Sequence, residues 1–446
     1  MDRSCESKSL FTDPEEGEED EATMELLKEL STAGFELYKP TMDNAGDDDE
    51  SIPAWVLALV GEGAATVDSS PATEEEPAVV DSELASRMEE AEDVVDSGRS
   101  AMEMAMEMSA EEEEFASYRS DWESRWGADG WGYFCDMTTV SSMQYTHLTP
   151  SVIRRADGIV DATLQIFSIK LAEIKGGLEW PLSVYGVVAA RDAVDHNRNL
   201  LFCRDRRCSQ KIKQHDPFLC LTGPSRAIVL TVMEPVVFEI QLKVQGKTAS
   251  EDRALISATS DYTRVGRGRG VRTICFENCF CTAEICVERV SETVQATIFG
   301  VRVVKGGSEP FEYGCRVACH SPSGAFKLID GKVTYVASST SPQVVLFDSR
   351  CRGMLKGFDG YYIDLSRQVV SVELEGSLKV VVDAYSSSGD IAAQGHVSFT
   401  PETCNVSRER FYVGDAQVEV SVAWSLLVSD KRDIALEGWV SEFSTM

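Results

Sequence analysis

Four arginines on a glycine-rich stretch, Arg264, Arg267, Arg269 and Arg272, form the one local basic run of the sequence. On a loop, such side chains could grip phosphates or an RNA backbone. They could also fold back on an acidic segment of the same chain, or simply make a solvated hairpin loop. No aromatic residue interleaves with the run, which weakens the RNA reading. Cys275, Cys279, Cys281 and Cys286 are the next candidates. Structural zinc sites use paired knuckles that this spacing lacks. Read as one strand, Cys275, Cys279 and Cys281 share a face and Cys286 faces away. They are therefore expected to pack as small apolar groups, as are Cys315 and Cys319 beside His320. The five histidines, His147, His196, His215, His320 and His396, show no paired ligand spacing. No nucleophile turn of the Gly-x-Ser-x-Gly kind is present. Asp192, Asp195 and Asp205 could line a loop end, but calcium wants more oxygen ligands than three carboxylates in one loop supply. No catalytic residue, cofactor or metal site is expected. Arg264, Arg267, Arg269 and Arg272 are the candidate binding residues.

The 446 residues must position these groups, and their charge is uneven. Lys and Arg total 42 against 74 Asp and Glu, a net of −32. Residues 1–120 hold 35 acidic and 7 basic side chains, which leaves 39 and 35 for the rest. An acidic tail thus precedes a nearly neutral body, and a basic nucleic-acid binder is excluded. The start is polar and acidic rather than a secretory signal. The apolar run from Ile52 to Val60 is too short to span a bilayer. Thirteen cysteines without a Cys-x-x-Cys pair fit free thiols in a reducing compartment. The tail has too few apolar residues to offset the cost of ordering its backbone, so disorder with short helical patches is expected there.

Phe115, Tyr118, Trp122 and Trp126 fall on one face of a helix, an aromatic stripe suited to docking on the body. From residue 160 the period changes to two. Val236, Phe238, Ile240, Leu242 and Val244 alternate with Val237, Glu239, Gln241 and Lys243; Val418 to Leu426 repeats the pattern, as do shorter runs at Val370–Leu374 and Ala283–Val287. Alternation with one apolar face marks antiparallel sheets packed on one side. Turn residues recur between them at Lys175–Gly177, Thr222–Pro224, Lys305–Gly307 and Ser386–Asp390.

An internal repeat sets the domain count. Thr163–Glu179 aligns with Thr293–Glu309 at an offset of 130, sharing Thr, Gln, Lys, Gly, Gly and Glu. Tyr185-Gly186 and Ala190 match Tyr313-Gly314 and Ala318 at 128, and Ser225–Val229 matches Ser366–Val370 at 141.

The blocks Thr163–Lys170, Lys175–Asp192, Asn197–Phe202, Leu221–Val229, Thr293–Val304, Pro310–Gly314, Leu365–Leu374 and Ser388–Ala392 resemble, in order, a plant family expanded in grasses and classed as a domain of unknown function. The resemblance runs from about Glu112 to Leu427. Some family members are fused to a ribosome-inactivating N-glycosidase domain, which implies a defence or stress setting. No Glu-Ala-x-x-Arg active-site helix occurs in this chain, so the resemblance implies no toxin activity here.

The predicted fold is all-β: two tandem antiparallel β-sandwich units, an internal duplication, preceded by a helix and a disordered acidic N-terminal tail. The expected segments are the tail at 1–110, a helix and aromatic lead-in at 111–159, sandwiches at 160–292 and 293–428, and a C-terminal tail at 429–446. The expected function is a non-enzymatic, cytoplasmic interaction module that binds a protein partner. RNA held by the Arg-Gly loop is the alternative, and an enzyme whose site is spread over loops is the third reading. Neither membrane nor DNA is an expected partner.

Overall fold

The computed structural model describes residues 100–127, 130–142, 162–263, 270–306, 311–321, 324–329, 332–337, 342–352, 362–428 and 430–431. The expectations for residues 1–99, 143–161 and nearly all of the C-terminal tail fall outside them.

Helix α1 (Ala101–Trp122) starts ahead of the boundary expected at 111. Its start is fixed locally. The Ser100 hydroxyl accepts from the Glu103 amide at 3.2 Å, and the Glu103 carboxylate accepts from the Ser100 amide at 2.7 Å, a reciprocal cap. Alternating Ala, Met and Glu then favour the helix, so Met102–Met108 continues it rather than forming a strand. Met108, Phe115 and Trp122 are buried on its inner face.

The first sandwich comprises β1 (Ala162–Ile174), β2 (Leu182–Arg191), β3 (Asn199–Arg204), β4 (Gln210–Ile212), β5 (Ile228–Leu230), β6 (Val236–Val244), β7 (Arg253–Tyr262), β8 (Val271–Glu277) and β9 (Cys281–Val290). Only Ser291 and Glu292 separate it from the second: β10 (Thr293–Lys305), β11 (Cys315–His320), β12 (Gly324–Ile329), β13 (Lys332–Ala337), β14 (Val344–Asp348), helix α2 (Ser349–Arg352), β15 (Val369–Glu373), β16 (Leu378–Tyr385), β17 (Ile391–Phe399), β18 (Cys404–Val413) and β19 (Ala416–Ser425). The sheet orders are β5-β1-β9-β8 and β3-β2-β6-β7 in the first half, with β4 beside β2; in the second they are β15-β10-β19-β18 and β14-β11-β16-β17. The halves repeat each other strand for strand, and each encloses its own apolar core. The β12–β13 hairpin is inserted between β11 and β14, where the first half has only the loop from Asp192 to Arg198.

The ladders correct the repeat offsets. β1 extrudes Phe167 between Ile166 and Ser168, and β10 extrudes Phe299 between Ile298 and Gly300. The matching register is therefore 132, not 130, and it aligns Ile-Phe-Ser-Ile-Lys with Ile-Phe-Gly-Val-Arg. The Val188–Phe202 and Val317–Phe347 pairs, each followed by a bulge, set 129 rather than 128. Leu164 opposite Ile228 and Ala296 opposite Val370 set 142 rather than 141. Gly176, Gly177 and Gly306 take positive φ in the turns that follow these strands, while the bulges fix which strand residues face inward.

β1 meets β14 and β15, and β9 meets β15; this seam mixes buried polar groups with an apolar cluster that joins Ala227 and Val229 to Val369, while Phe167 packs into the second core. Thr163, Gln165, Thr293, Gln295, Ser371 and Ser425 are all buried. Gln165 accepts from the Ser371 amide at 2.8 Å, and Gln295 accepts from the Ala227 amide at 2.7 Å. Arg367 donates to the Val345 carbonyl at 2.6 Å and, across the seam, to the Ile166 and Phe167 carbonyls at 3.0 Å each.

Candidate functional site

Charged side chains interrupt the apolar alternation on the outer faces of β2/β6 and β11/β16, with opposite results. In the first half, Arg191 and Arg198 converge on Glu239, donating at 3.1 and 2.7 Å. Arg191 also donates to the carbonyls of Phe134 at 2.6 Å and His196 at 2.8 Å. The α1 aromatics close over this cluster. The Arg191 guanidinium lies 4.4 Å from the Phe134 ring centre and 4.9 Å from that of Trp122. Trp126 stacks on His196 at 3.6 Å, and the Trp122 indole donates to the His196 carbonyl at 3.0 Å. Burial lowers the His196 pKa, against the raising effect of Glu234 and nearby aspartates. A second buried knot lies beside it: Arg226 donates to both oxygens of Asp192 at 2.7 Å and to Asp195 at 2.9 Å. Asp192 and Asp195 thus hold an arginine, and Asp205 caps the turn at Arg206–Cys208 instead of joining them. Both clusters are closed off, so they lock structure rather than receive a ligand.

In the second half the corresponding face is not capped by α1 and ends in a cleft, although Val381, Asp383 and Tyr385 are themselves buried. Arg316 on β11 pairs with Asp383 on β16 at 3.3 Å, and Gln394 on β17 donates to Asp383 at 2.6 Å. At the strand ends, the Tyr385 hydroxyl donates to Asp348 at 3.0 Å. The Arg350 guanidinium lies 4.0 Å from the Tyr385 ring centre and donates to the Gly389 carbonyl. Gly389 has φ +86, which permits the tight turn from Ser386 to Asp390. These residues, with Ile391, line a cavity of about 490 Å³. Its lining holds two guanidiniums, three carboxylates and a phenol, but no imidazole or thiol. Burial, followed by the neighbouring Asp348, pushes the Tyr385 phenol well above its ordinary range. It therefore remains a protonated hydrogen-bond donor near neutrality. The arrangement can recognise a ligand carrying both charges or several polar groups.

Of the residues expected to bind, only Arg272 lies among those described. It is exposed on β8, opposite Val287. Arg264, Arg267 and Arg269 fall outside them. The cysteine cluster is split by the turn at Asn278–Phe280, contrary to the single-strand reading. Cys279 and Cys281 enter the core, while Cys275 and Cys286 lie on β8 and β9 opposite Glu284 and Thr273. Among the described residues, no three His, Cys, Asp or Glu side chains could hold a metal ion, and no helix is long and apolar enough to cross a membrane. Sequence reading missed the open pocket, whose residues are scattered from 316 to 391. One signal was present: Asp383 interrupts the apolar run Val380-Val-Val-Asp-Ala-Tyr385.

The family described as Domain of unknown function (DUF6598) matches residues 163–422. No curated protein matches the sequence. Among solved structures, human GIVD cytosolic phospholipase A2 aligns at TM-score 0.21 and 10% identity, covering 60% of this chain and 31% of that one. Its complex with Methyl gamma-Linolenyl Fluorophosphonate aligns at 0.19 and 9%, covering 60% and 32%. The chain thus spans about a third of the phospholipase, and a likeness this low carries no argument.

Proposed function

The chain belongs to the DUF6598 family, a domain of unknown function, and from its geometry we propose that it is a non-enzymatic interaction module whose second sandwich seats a charged segment of a protein partner. The observation that carries this reading is the open cavity bounded by Arg316, Asp348, Arg350, Asp383, Tyr385 and Asp390. Its charges are held in place by partners on adjacent strands, so a ligand meets them already oriented. Its only phenol is paired with Asp348 but pushed away from neutrality, which disfavours it as a nucleophile and favours binding over catalysis. A plant defence or stress setting, which rests on the resemblance, and a cytoplasmic location, which rests on the polar acidic start and the free thiols, belong to the same proposal.

The test is selection of a random peptide library on the full-length protein, repeated with Arg316→Ala and Asp348→Asn. Enriched peptides with charged residues at fixed spacing, lost on either variant, are the expected result. Peptides indifferent to both substitutions, or a turnover that depends on Tyr385, would overturn the reading.

A further inference from the structure

We infer that the exposed end of the β10–β19–β18 sheet face is a binding platform for single-stranded RNA. It lies on a different sheet from the open pocket and goes beyond the function proposed above. Three rows cross this face. Tyr362, Arg302, Glu419 and Arg410 form the middle row, with Arg302 bridged to Tyr362 and Glu419 facing both arginines. Glu419 accepts from Arg302 at 2.7 Å and from Arg410 at 2.6 Å. Burial alone would raise its pKa, but the arginines hold it below the ordinary value, so it stays charged and fixes both guanidiniums. Arg408 and Ser421 flank this row on one side, and Tyr412, Gln417 and Lys305 on the other. Arg408 has no partner among the described residues. Four cations thus share the three rows with Glu419; Asp364 lies two residues from Tyr362 at one edge and Asp415 on the turn beyond. Tyr362 and Tyr412 are 56% and 60% exposed, large rings left in water beside these cations.

The duplication supplies an internal comparison. At the equivalent positions of the first half, Lys170 pairs with Glu284 at 2.9 Å, and Phe218 bridges Lys170 as Tyr362 bridges Arg302. The aromatic–cation–glutamate row is therefore part of the shared frame. Where the second half has Arg408, Arg410, Tyr412 and Lys305, the first has Thr273, Cys275, Glu277 and Glu173. The same platform is electropositive in one copy and not in the other, although the body as a whole is slightly acidic. Neighbouring strands lie about 4.8 Å apart and alternate residues about 7 Å apart, so the guanidiniums form a two-dimensional array that can follow a phosphate backbone. Exposed tyrosine rings offer stacking surfaces to unpaired bases. An acidic peptide could use the cations but has no bases to stack on the rings, so RNA fits both features.

The test uses the full-length protein and a labelled uridine oligomer of roughly 12 nucleotides, a length within the range of single-strand sites. Fluorescence anisotropy at low salt should show binding. Arg408→Thr, Arg410→Ser and Lys305→Glu together, which closely reproduce the first half's pattern on the same ladder, should weaken it tenfold or more with unchanged thermal unfolding. Tyr362→Ala should weaken it several-fold, whereas Tyr362→Phe should retain it. Neutralising about three phosphates predicts a slope of log affinity against log salt of about −2. No binding at low salt, affinity unchanged in the triple variant or in Tyr362→Ala, or displacement by a polyglutamate peptide as effective as by unlabelled RNA would overturn the proposal.

Discussion

Glu239 in the first sandwich and Val381 in the second occupy the same ladder position, opposite Ala189 and Ala318 respectively. Around Glu239 lie two buried arginines and the aromatic underside of α1. Two positions along the ladder from Val381 lies Asp383, whose arginine is 23% exposed at the edge of a cleft. The frame is duplicated, but the charges are not. Where a helix covers the face, the ions serve the fold. Where the corresponding face carries the cavity, Asp383 stays buried and its arginine reaches the edge of the cleft. The difference shows why a buried ionic cluster is a poor guide to a binding site: in this molecule the more elaborate cluster is the structural one.

The largest expected effect tests that contrast directly. Glu239→Ala leaves Arg191 and Arg198 buried without their carboxylate and should cost about 3–5 kcal/mol in urea unfolding. Asp383→Ala frees an arginine that can turn to water, so about 1–2 kcal/mol is expected. Equal costs would erase the distinction between capped and open faces.

A second comparison concerns buried thiols at high pH. Burial pushes Cys281 in the first half and Cys315 in the second up to about 12. A raised thiol pKa contributes stability that is intact below the unfolded value near 9 and is lost as pH climbs toward 12. The urea midpoint should therefore fall above pH 9, and Cys281→Ala with Cys315→Ala should recover about 1–3 kcal/mol of that loss. Burial lowers the Arg367 pKa, but its guanidinium donates to three carbonyls and stays charged, so it adds nothing to this pH dependence.

The aromatic cap should sharpen the contrast at low pH. His196 is lowered by burial, so the unfolded chain takes up its proton first and stability falls as pH drops below 6.5. Tryptophan emission should follow this through Trp126, which stacks on His196, and His196→Gln should flatten the dependence. The smallest effect belongs to the exposed Lys170–Glu284 pair, where Lys170→Ala should cost no more than about 0.5 kcal/mol by thermal unfolding.

Much of the fold was legible in the sequence. Period-two alternation located β6 and β19, and the recurring blocks pointed to two equivalent halves. The offsets were each off by one or two residues because identical turn residues attract an alignment while the ladders are set by extruded bulge residues such as Phe167 and Phe299. The aromatic stripe of α1 was also legible, although its target was not. Arg191, Arg198 and Glu239 meet only through strand pairing between segments tens of residues apart. The open pocket was harder still. Asp383 stands out only as a break in an apolar run, and nothing local announces that Arg316 faces it.

The glutamine and arginine contacts at the seam bear on how this molecule comes apart. Gln165 satisfies a backbone amide of the second half, Gln295 one of the first, and Arg367 reaches two carbonyls of β1. Neither half completes its own hydrogen bonding, and separation would also expose Phe167 and the apolar cluster of Val229 and Val369. The duplicated halves should therefore melt in one cooperative transition rather than two. A protease cut at Ser291 or Glu292 should leave a nicked molecule whose fragments co-elute until denaturant is added.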